Sequence, residues 1–444
     1  MQRLKPKKPG RPVCFRAASL ALLLFALPTA RGDDWPAWRG PDGTGVSREK
    51  ELPLSWSERI ALAWKLTPPG WGTSTPIIVK DAIFLTAQQD DALLLVRLEK
   101  KTGKLVWSEK VAAAPEVPRK VAGRGAQKFH DIHNFASPSP VTDGEHIVAH
   151  YGSGDLAVYD FSGKQLWHRN FQKEYGRYTI WWGHANSPVL VDGLVISVCM
   201  QDSLADLAEH ADKPAPSYLV AHDVETGKLR WRTPRATGAK AEEGDAYTTP
   251  LVQRNEKGTQ IIVMGANQVD AFDPADGKQR WALPGLIGGR TVTGPTLGAE
   301  RLFVTRGMRG PLLAYRLDGS GKPSRRPVDS WEYRTGTPDS CSPVVWDRLL
   351  FMVTDDGVAR CLDADAGSLK WQSRLKGQYK ASPVAADGRV YFLSTSGLCT
   401  VISASPRFEK LTENQLDDAF TASPAISDGR IYLRGRKSLY AVEK

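Results

Sequence analysis

The chain is poor in cysteine, with five in 444 residues. None belongs to a Cys-x-x-Cys or Cys-Cys pair, the spacings typical of thiolate metal sites and redox motifs. A chain of this length buries enough apolar surface without cross-links, so we expect the four that follow Cys14 to be buried small side chains. Whether any two of them form a disulfide stays open at this point. They are Cys199, Cys341, Cys361 and Cys399.

A strong charge of one sign is also missing once the first 32 residues are set aside. The formal net charge is +10, but seven of the 59 basic residues and no acidic residue lie in 1–32. The remainder carries 52 basic against 49 acidic residues, which gives no electrostatic reason to expect a nucleic-acid partner. We interpret the remaining basic cluster as a solvated loop. It comprises Arg119, Lys120, Arg124 and Lys128.

Long apolar runs are limited to one, from Ala17 to Leu27. It is about half as long as a membrane-spanning helix. Basic residues precede it and Pro28-Thr29-Ala30 follows it, an order typical of a secretory signal peptide. We therefore predict a signal peptide over residues 1–32 and a periplasmic or secreted protein with no membrane span after cleavage.

The rest of the chain contains a repeat in which Gly is followed four positions later by Trp. Asp and Gly before the Trp supply the turn of a β-hairpin, so the motif predicts a strand, a tight turn and a strand. The Trp lies on the second strand and bridges to a neighbouring unit, while a small residue ten positions earlier faces the indole. The copies are Gly103/Trp107, Gly163/Trp167, Gly227/Trp231, Gly277/Trp281 and Gly367/Trp371, with Arg97, Ala157, Ala221, Ala271 and Cys361 at the facing position.

A small residue before Pro marks the start of each unit. Because Pro is tolerated at the first residue of a strand, we expect each innermost strand to begin there. Each unit then contains four strands, which predicts an all-β, eight-bladed β-propeller of four-stranded antiparallel blades. The eight markers are Thr75-Pro76, Ser137-Pro138, Ser187-Pro188, Thr249-Pro250, Gly294-Pro295, Ser342-Pro343, Ser382-Pro383 and Ser423-Pro424.

The eighth unit ends after its third strand, and residues 61–66 near the N-terminus provide the missing fourth one. A strand shared between the two chain ends closes the ring and removes exposed sheet edges. We predict a lead segment over 33–57 and a propeller over 58–444. The tryptophans expected to dock neighbouring blades are Trp64, Trp107, Trp167, Trp231, Trp281, Trp331 and Trp371.

Three features depart from the regular repeat. The fifth unit reaches Trp331 from Ala314 through a long insertion, and the seventh lacks the Trp, with Phe408 as the nearest aromatic substitute. Longer loops also occur over 111–130 and 203–217. Insertions of this kind carry function more often than the blades they join.

Residues a few positions before each Pro marker should gather around the propeller axis at one face. These candidate ligand-binding residues are Trp71, His133, Asn134, His184, Asp245, Arg290, Asp339 and Lys380, with Trp181, Trp182 and Tyr247 nearby. Mixed charges, imidazoles and aromatics suit a polar ligand or a peptide. The alternative is that polar side chains here only satisfy the backbone of the central loops. No catalytic residue and no metal site are predicted, since His130 and His133 have no third ligand at suitable spacing.

The Ala, Asp, Gly and Trp spacing resembles the tryptophan-docking repeat of the PQQ-like propellers. The stretches 34–43, 136–144 and 264–267 are similar to exported PQQ-binding-like β-propeller repeat proteins of bacteria. The resemblance implies one of two activities. Quinoprotein alcohol dehydrogenases hold pyrroloquinoline quinone (PQQ) and calcium on the axis, where Asp245 and Asp339 would be the candidate base and ligand. The outer-membrane assembly scaffold protein binds polypeptide without a cofactor.

The sequence departs from the dehydrogenases in two respects, since it lacks their vicinal cysteine pair and is shorter than they are. We therefore expect a non-catalytic periplasmic propeller with no cofactor, binding a protein, peptide or small polar ligand at its axial face. One alternative is a PQQ- and calcium-dependent alcohol or sugar dehydrogenase. Another is a carbohydrate-binding propeller that uses Trp71, Trp181 and Trp182.

Overall fold

The computed structural model describes residues 1–2, 34–120, 127–201, 217–308 and 310–444. The chain divides into Met1–Arg31, almost all of which lies outside the described residues, and Gly32–Lys444. The predicted signal peptide therefore falls outside the description. The second unit contains eight antiparallel sheets of four strands each, which confirms the predicted eight-bladed propeller.

The strands are numbered along the chain, and β1 (Leu62–Leu66) belongs to the last blade. Blades one and two contain β2 (Ile77–Val79), β3 (Ala82–Gln89), β4 (Ala92–Glu99), β5 (Leu105–Ala113), then β6 (Val141–Thr142), β7 (His146–His150), β8 (Asp155–Asp160) and β9 (Gln165–Asn170). Blades three and four contain β10 (Val189–Val191), β11 (Leu194–Cys199), β12 (Tyr218–Asp223), β13 (Leu229–Pro234), then β14 (Leu251–Asn255), β15 (Gly258–Gly265), β16 (Asn267–Phe272) and β17 (Gln279–Leu286).

Blades five and six contain β18 (Thr296–Gly298), β19 (Arg301–Thr305), β20 (Leu312–Arg316), β21 (Ser330–Tyr333), then β22 (Val344–Trp346), β23 (Leu349–Val353), β24 (Val358–Asp363) and β25 (Leu369–Arg374). Blades seven and eight contain β26 (Val384–Ala386), β27 (Arg389–Leu393), β28 (Leu398–Ser403), β29 (Lys410–Gln415), then β30 (Ala425–Ser427), β31 (Arg430–Arg434) and β32 (Leu439–Val442), with β1 as the fourth strand of blade eight. The one α-helix among the described residues is α1 (Phe171–Tyr175), and short 3-10 turns cover Ala241–Gly244 and Pro327–Asp329. None of these helical segments combines the length and apolar character that a membrane crossing needs.

The two ends of the propeller meet in blade eight. Strand β1 pairs antiparallel with β32, with Trp64 opposite Ala441 and Lys65 opposite Tyr440. This pairing confirms that the N-terminal strand closes the last blade. It leaves blade eight with the same four strands as the other blades.

The docking tryptophans join neighbouring blades by hydrogen bonds as well as by packing. Six indole nitrogens donate at 2.7–3.2 Å to a carbonyl of the outer hairpin in the next blade: Trp64 to Lys100, Trp107 to Phe161, Trp167 to Val224, Trp231 to Pro274, Trp331 to Ala364 and Trp371 to Ser405. The glycine of each Gly-x-x-x-Trp copy lies under the tryptophan of the preceding blade. A Cβ placed on Gly367, for example, would lie 2.6 Å from the Trp331 indole. Each copy of the motif therefore contributes to two interfaces, since its glycine contacts the preceding blade and its tryptophan contacts the next one.

Trp281 is the exception, because the next blade is the one with the long insertion. Its indole donates to the Gln260 side chain at 3.0 Å, and Gln260 in turn donates to the Gly321 carbonyl at 2.8 Å. Blades four and five are therefore linked by two successive hydrogen bonds through the Gln260 side chain.

In blade two the hairpin is one residue shorter, so Trp167 faces Val158 and the expectation that it faces Ala157 is wrong.

Blade seven replaces its missing tryptophan with one from the lead segment. Trp56 is buried and its ring lies 6.3 Å from that of Tyr391, where other blades pack their own Trp against an aromatic of the second strand. The Asn414 side chain accepts from the Trp56 main chain at 2.9 Å and fixes this segment against β29. Phe408 instead contacts Trp371 of blade six, so it is not the substitute.

Hydroxyl side chains next to the Pro markers link the blades around the axis. The Ser139 hydroxyl accepts from the Thr75 main chain, Ser187 from Ser139, Thr249 from Ser187, Ser342 from Gly294, Ser382 from Ser342 and Ser423 from Ser382, at 2.8–3.1 Å. Each innermost strand begins directly after a Pro, as predicted, except that blade two uses Pro140 and not Pro138. Gly294 has no hydroxyl, and Trp38 packs there.

The lead segment, described over residues 34–57, covers the end of the ring at which the innermost strands terminate. Trp35 pairs with Ile78 of blade one, and Val46 pairs with Ala385 of blade seven. Between them the Arg39 side chain is buried and donates to the Thr44 and Pro343 carbonyls, both at 2.6 Å. Burial lowers the pKa of Arg39 to about 9. The loops that precede the innermost strands, which carry the predicted site residues, lie at the opposite face.

The four described cysteines, Cys199, Cys341, Cys361 and Cys399, are buried free thiols.

Candidate functional site

The face opposite the lead segment is built from the loops that enter the innermost strands and from the turns between the second and third strands. We call this surface the axial loop face. Adjacent loops contact one another around it, because equivalent loops of successive blades lie side by side.

Trp71 lies at the edge of this face in blade one. Its main chain pairs with Gln88, and its carbonyl accepts from the buried Asn134 side chain of blade two at 3.0 Å. The guanidinium of Arg436, from the turn after β31 in blade eight, lies 4.3 Å from the indole centroid. Trp71 and Asn134 are therefore in contact. Arg436 was missed because it follows the second strand of its blade and not a loop that precedes a Pro marker.

His133 belongs to the loop that enters blade two. Its Nδ1 lies 2.9 Å from the Ser137 hydroxyl, and its carbonyl accepts from Arg119 at 3.0 Å. Burial, assisted by the charge of Arg119, lowers the pKa of His133 to about 4. This imidazole is neutral near pH 7, and its contacts hold the loop in place.

His184 lies beneath the surface and does not face solvent. Its ring is 4.6 Å from that of His150 and 5.0 Å from that of Tyr178. Burial lowers the pKa of His184 to about 3 and that of nearby His222 to about 4. His150 is fully buried, and neither of its ring nitrogens has a hydrogen-bond partner among the described residues. The three imidazoles form a buried cluster under blades two and three.

Asp245 is also buried, at the loop that enters blade four. Its Oδ1 accepts from the Trp181 main chain at 3.3 Å, and the neighbouring Tyr247 hydroxyl accepts from the Trp182 main chain at 3.1 Å. These contacts position the two tryptophans. Asp245 therefore acts from below the surface, like Asn134 and His184.

Arg290, Asp339 and Lys380 lie on the opposite half of the face and are neutralised by close partners. Arg290 and Asp339 form an ion pair at 2.8 Å, and the Lys380 ammonium lies 2.6 Å from Asp355. Asp339 also accepts from the Met308 main chain at 2.8 Å. Arg290 and Lys380 are therefore each paired with a carboxylate.

Trp181 and Trp182 hold a cation from blade two. The Lys128 ammonium lies 4.3 Å from the first ring centroid and 4.2 Å from the second. The interpretation of Lys128 as part of a solvated loop is therefore wrong, because the side chain is half-buried on two indoles. No spacing rule pairs a lysine with tryptophans more than 50 positions away, so the sequence held no signal for this contact.

A cleft of about 530 Å³ adjoins Trp71. It is lined by Gly70, Trp71, Gln88, Gln89, Asp90, Val117, Arg119 and Asn134. The side-chain carbonyl oxygen of Gln88 is buried beside it with no described hydrogen-bond partner. The two long loops expected to be functional lie partly outside the described residues, at 121–126 and 202–216.

Comparison with known proteins agrees with this architecture. A model of the family described as outer membrane protein assembly factor BamB matches residues 56–209, 215–322 and 267–442. The chain belongs to the BamB family. The solved BamB structure from Moraxella catarrhalis superposes with a TM-score of 0.58 at 11% identity, covering 86% of this chain and 99% of that one.

This BamB-family chain also has relatives among quinoproteins. It is 23% identical over 213 residues to a quinohemoprotein alcohol dehydrogenase from Comamonas testosteroni, a match that covers 46% of this chain and 26% of the relative's length. The solved structure of quinohemoprotein alcohol dehydrogenase from the same organism superposes with a TM-score of 0.64 at 15% identity, covering 92% and 80% of the two chains. The resemblance to PQQ-like propellers is thereby confirmed, with relatives of both functional kinds.

The axial residues do not fit the calcium site of a quinoprotein. Calcium takes several oxygen ligands that include free carboxylates. Asp339 is occupied by Arg290, and Asp245 lies buried against the Trp181 main chain. Within the described parts of the chain, no three His, Cys, Asp or Glu side chains group as a metal site would require.

Proposed function

We propose that this BamB-family protein is a non-catalytic, exported propeller that binds polypeptide through its axial loop face. The observation that carries the proposal is the cleft beside Trp71, bounded by an aromatic ring that bears the Arg436 guanidinium. Aromatic and arginine side chains dominate the energetics of protein interfaces, because they combine apolar area with directed hydrogen bonds. The match to the BamB family agrees with a location at the cell envelope and with a protein partner.

The carboxylates of the face support binding over catalysis. A quinoprotein reaction needs a carboxylate free to act as a base. Asp339 is held by Arg290 at 2.8 Å, and Asp245 has no exposed surface. Both carboxylates stabilise loops in the structure. The proposal includes the signal peptide over 1–32, the lead segment over 33–57 and the propeller over 58–444.

The test is a binding panel on the mature chain with three arms. A library of short peptides, a glycan array and PQQ with calcium are each added to the wild type, to Trp71→Ala and to Leu411→Ala. Leu411 is an exposed residue of an outer strand and serves as the control. We expect peptide binding that W71A weakens about tenfold and L411A leaves unchanged. Dye-linked alcohol oxidation with PQQ and calcium, or binding confined to glycans, would overturn the proposal.

A further inference from the structure

The axial loop face divides into two halves with different charge chemistry. In blades five to seven, Arg290 and Lys380 each contact a carboxylate within 3 Å. In blades eight, one, two and three, Arg436 and Lys128 lie on tryptophan rings, and neither forms an ion pair with a described carboxylate. We call the second half the cationic half-face and define it by Trp71, Arg119, Lys128, Trp181, Trp182 and Arg436.

One short segment, residues 128–133, makes this half-face continuous. Arg119 donates to the His130 and His133 carbonyls, and Arg436 donates to the Asp131 carbonyl at 3.1 Å. The His130 ring lies 5.7 Å from that of Trp182, which carries Lys128. The three cations therefore border one surface that runs from the Trp71 cleft to the Trp181 ring.

These cations keep unused capacity for an anion. A guanidinium has five N–H donors, and Arg436 uses one of them on the Asp131 carbonyl. An arginine placed on an aromatic face is partly desolvated, which strengthens its attraction for a carboxylate.

Two exposed carboxylates limit the kind of anion that fits. Asp90 lines the cleft, and the Asp131 carboxylate lies 3.8 Å from Arg119. A polymer with a charge at every unit, such as a nucleic acid, would be repelled at these points. A peptide with carboxylates spaced by neutral residues would place them on Arg436 and Lys128 and avoid both aspartates.

We propose that the cationic half-face recognises an extended acidic segment of a polypeptide partner, with carboxylates on Arg436 and Lys128. This proposal rests on the polypeptide-binding function proposed above and names the chemistry of its partner. The paired cations of blades five to seven take no part in it.

The experiment measures binding of two labelled peptides to the full mature chain by fluorescence polarisation. One peptide alternates Glu and Ser around a central Phe, and the other replaces each Glu with Gln. We expect the acidic peptide to bind at least about tenfold more tightly, with the difference reduced by added salt. Arg436→Gln and Lys128→Gln should each weaken the acidic peptide about tenfold and leave the neutral one unchanged.

The matched control is Arg306→Gln. Arg306 lies on the same face and donates to the Gly288 carbonyl, but it contacts neither an aromatic ring nor a carboxylate of the described chain. R306Q should change the affinity for the acidic peptide less than about twofold. If both peptides bind equally, or if R306Q weakens binding as much as R436Q, the acidic-partner proposal is wrong while polypeptide binding stands. If neither these peptides nor the peptide library binds, the proposed function itself fails.

Discussion

Trp64 lies opposite Ala441, so the first and last strands of the propeller share one sheet. The Trp64 indole also donates to the Lys100 carbonyl of blade one at 3.2 Å and covers Gly103. The Trp64 main chain thus pairs within blade eight, and its side chain docks on blade one. This arrangement makes the stability of the ring depend on residues near the start of the folded chain.

Replacing Trp64 with Ala should therefore destabilise the whole propeller. The indole is half-buried, so we expect the free energy of unfolding to fall by about 2–3 kcal/mol, measured by urea denaturation. Leu105→Ala removes an exposed side chain from an outer strand and should cost less than about 0.5 kcal/mol. Equal midpoints for the two variants would contradict closure through Trp64.

The stability lost when a glycine of the repeat is replaced should depend on which atoms lie next to its Cβ position. Gly367 and Gly388 have nearly the same backbone, with φ of +69° and +70°. A Cβ on Gly367 would meet the Trp331 ring at 2.6 Å, whereas nothing lies within 4 Å of the Cβ position of Gly388. Gly388→Ala should cost about 1 kcal/mol from the backbone alone, and Gly367→Ala a further 1–3 kcal/mol or so from the clash. Thermal unfolding of both variants checks this order, which equal costs would refute.

The buried ion pair between blades three and four should be sensitive to removal of one partner. Arg235 and Asp270 lie 2.8 Å apart and are almost completely buried. Asp270→Asn leaves the Arg235 charge uncompensated and should cost about 3 kcal/mol. Exchange of both residues, as in R235M/D270L, should recover most of that loss in the same urea titration. A double variant less stable than D270N would show that the pair itself supplies net stability.

The histidine cluster should make the fold sensitive to acid. The folded pKa values of His184 and His222, about 3 and about 4, lie below the unfolded value of about 6.5. The unfolded chain therefore takes up protons first, and the free energy of unfolding falls as the pH drops from about 6.5 toward 4. Above about pH 6.5 these histidines are neutral in both states, and they no longer lower the free energy of unfolding.

The same cluster gives a variant that should be more tolerant of acid. Burial holds the pKa of His150 well below its ordinary value, and its ring nitrogens have no described partners. His150→Leu should preserve or raise stability at pH 7 and flatten the decline between pH 6.5 and 4, followed by melting temperature. Val148→Ala, in the adjacent core, should lower stability at every pH without changing the slope. A slope unchanged by H150L would rule out His150 as a contributor.

The repeat made the fold predictable. Blade number, the start of seven of the eight innermost strands and closure by β1 follow from Gly, Trp and Pro spacings, because each marks a local constraint on a hairpin or strand start. The failures arose where the local spacing of the repeat changed or where a side chain was supplied by another part of the chain. In blade two the innermost strand begins after Pro140 and not Pro138, and a hairpin one residue shorter places Val158 and not Ala157 opposite Trp167. The replacement of Phe408 by Trp56 depends on packing between segments distant in the chain.

The candidate site was less predictable for a related reason. Position before a Pro marker places a residue near the axial face, and Trp71 and Arg290 lie there. It does not determine whether the side chain is exposed, so Asn134, His184 and Asp245 are found beneath the surface. Arg436 and Lys128 lie on tryptophan rings that belong to other blades. Contacts of this kind depend on the assembled ring, so the repeat pattern alone does not predict them.

The most direct test of polypeptide binding through the cationic half-face is amide hydrogen exchange of the mature chain, with and without the acidic peptide. The account predicts slower exchange over residues 68–73, 127–135 and 178–186 on binding, with no change over 335–343 or in the lead segment. Protection confined to the lead segment, or to the paired half of the axial loop face, would contradict it.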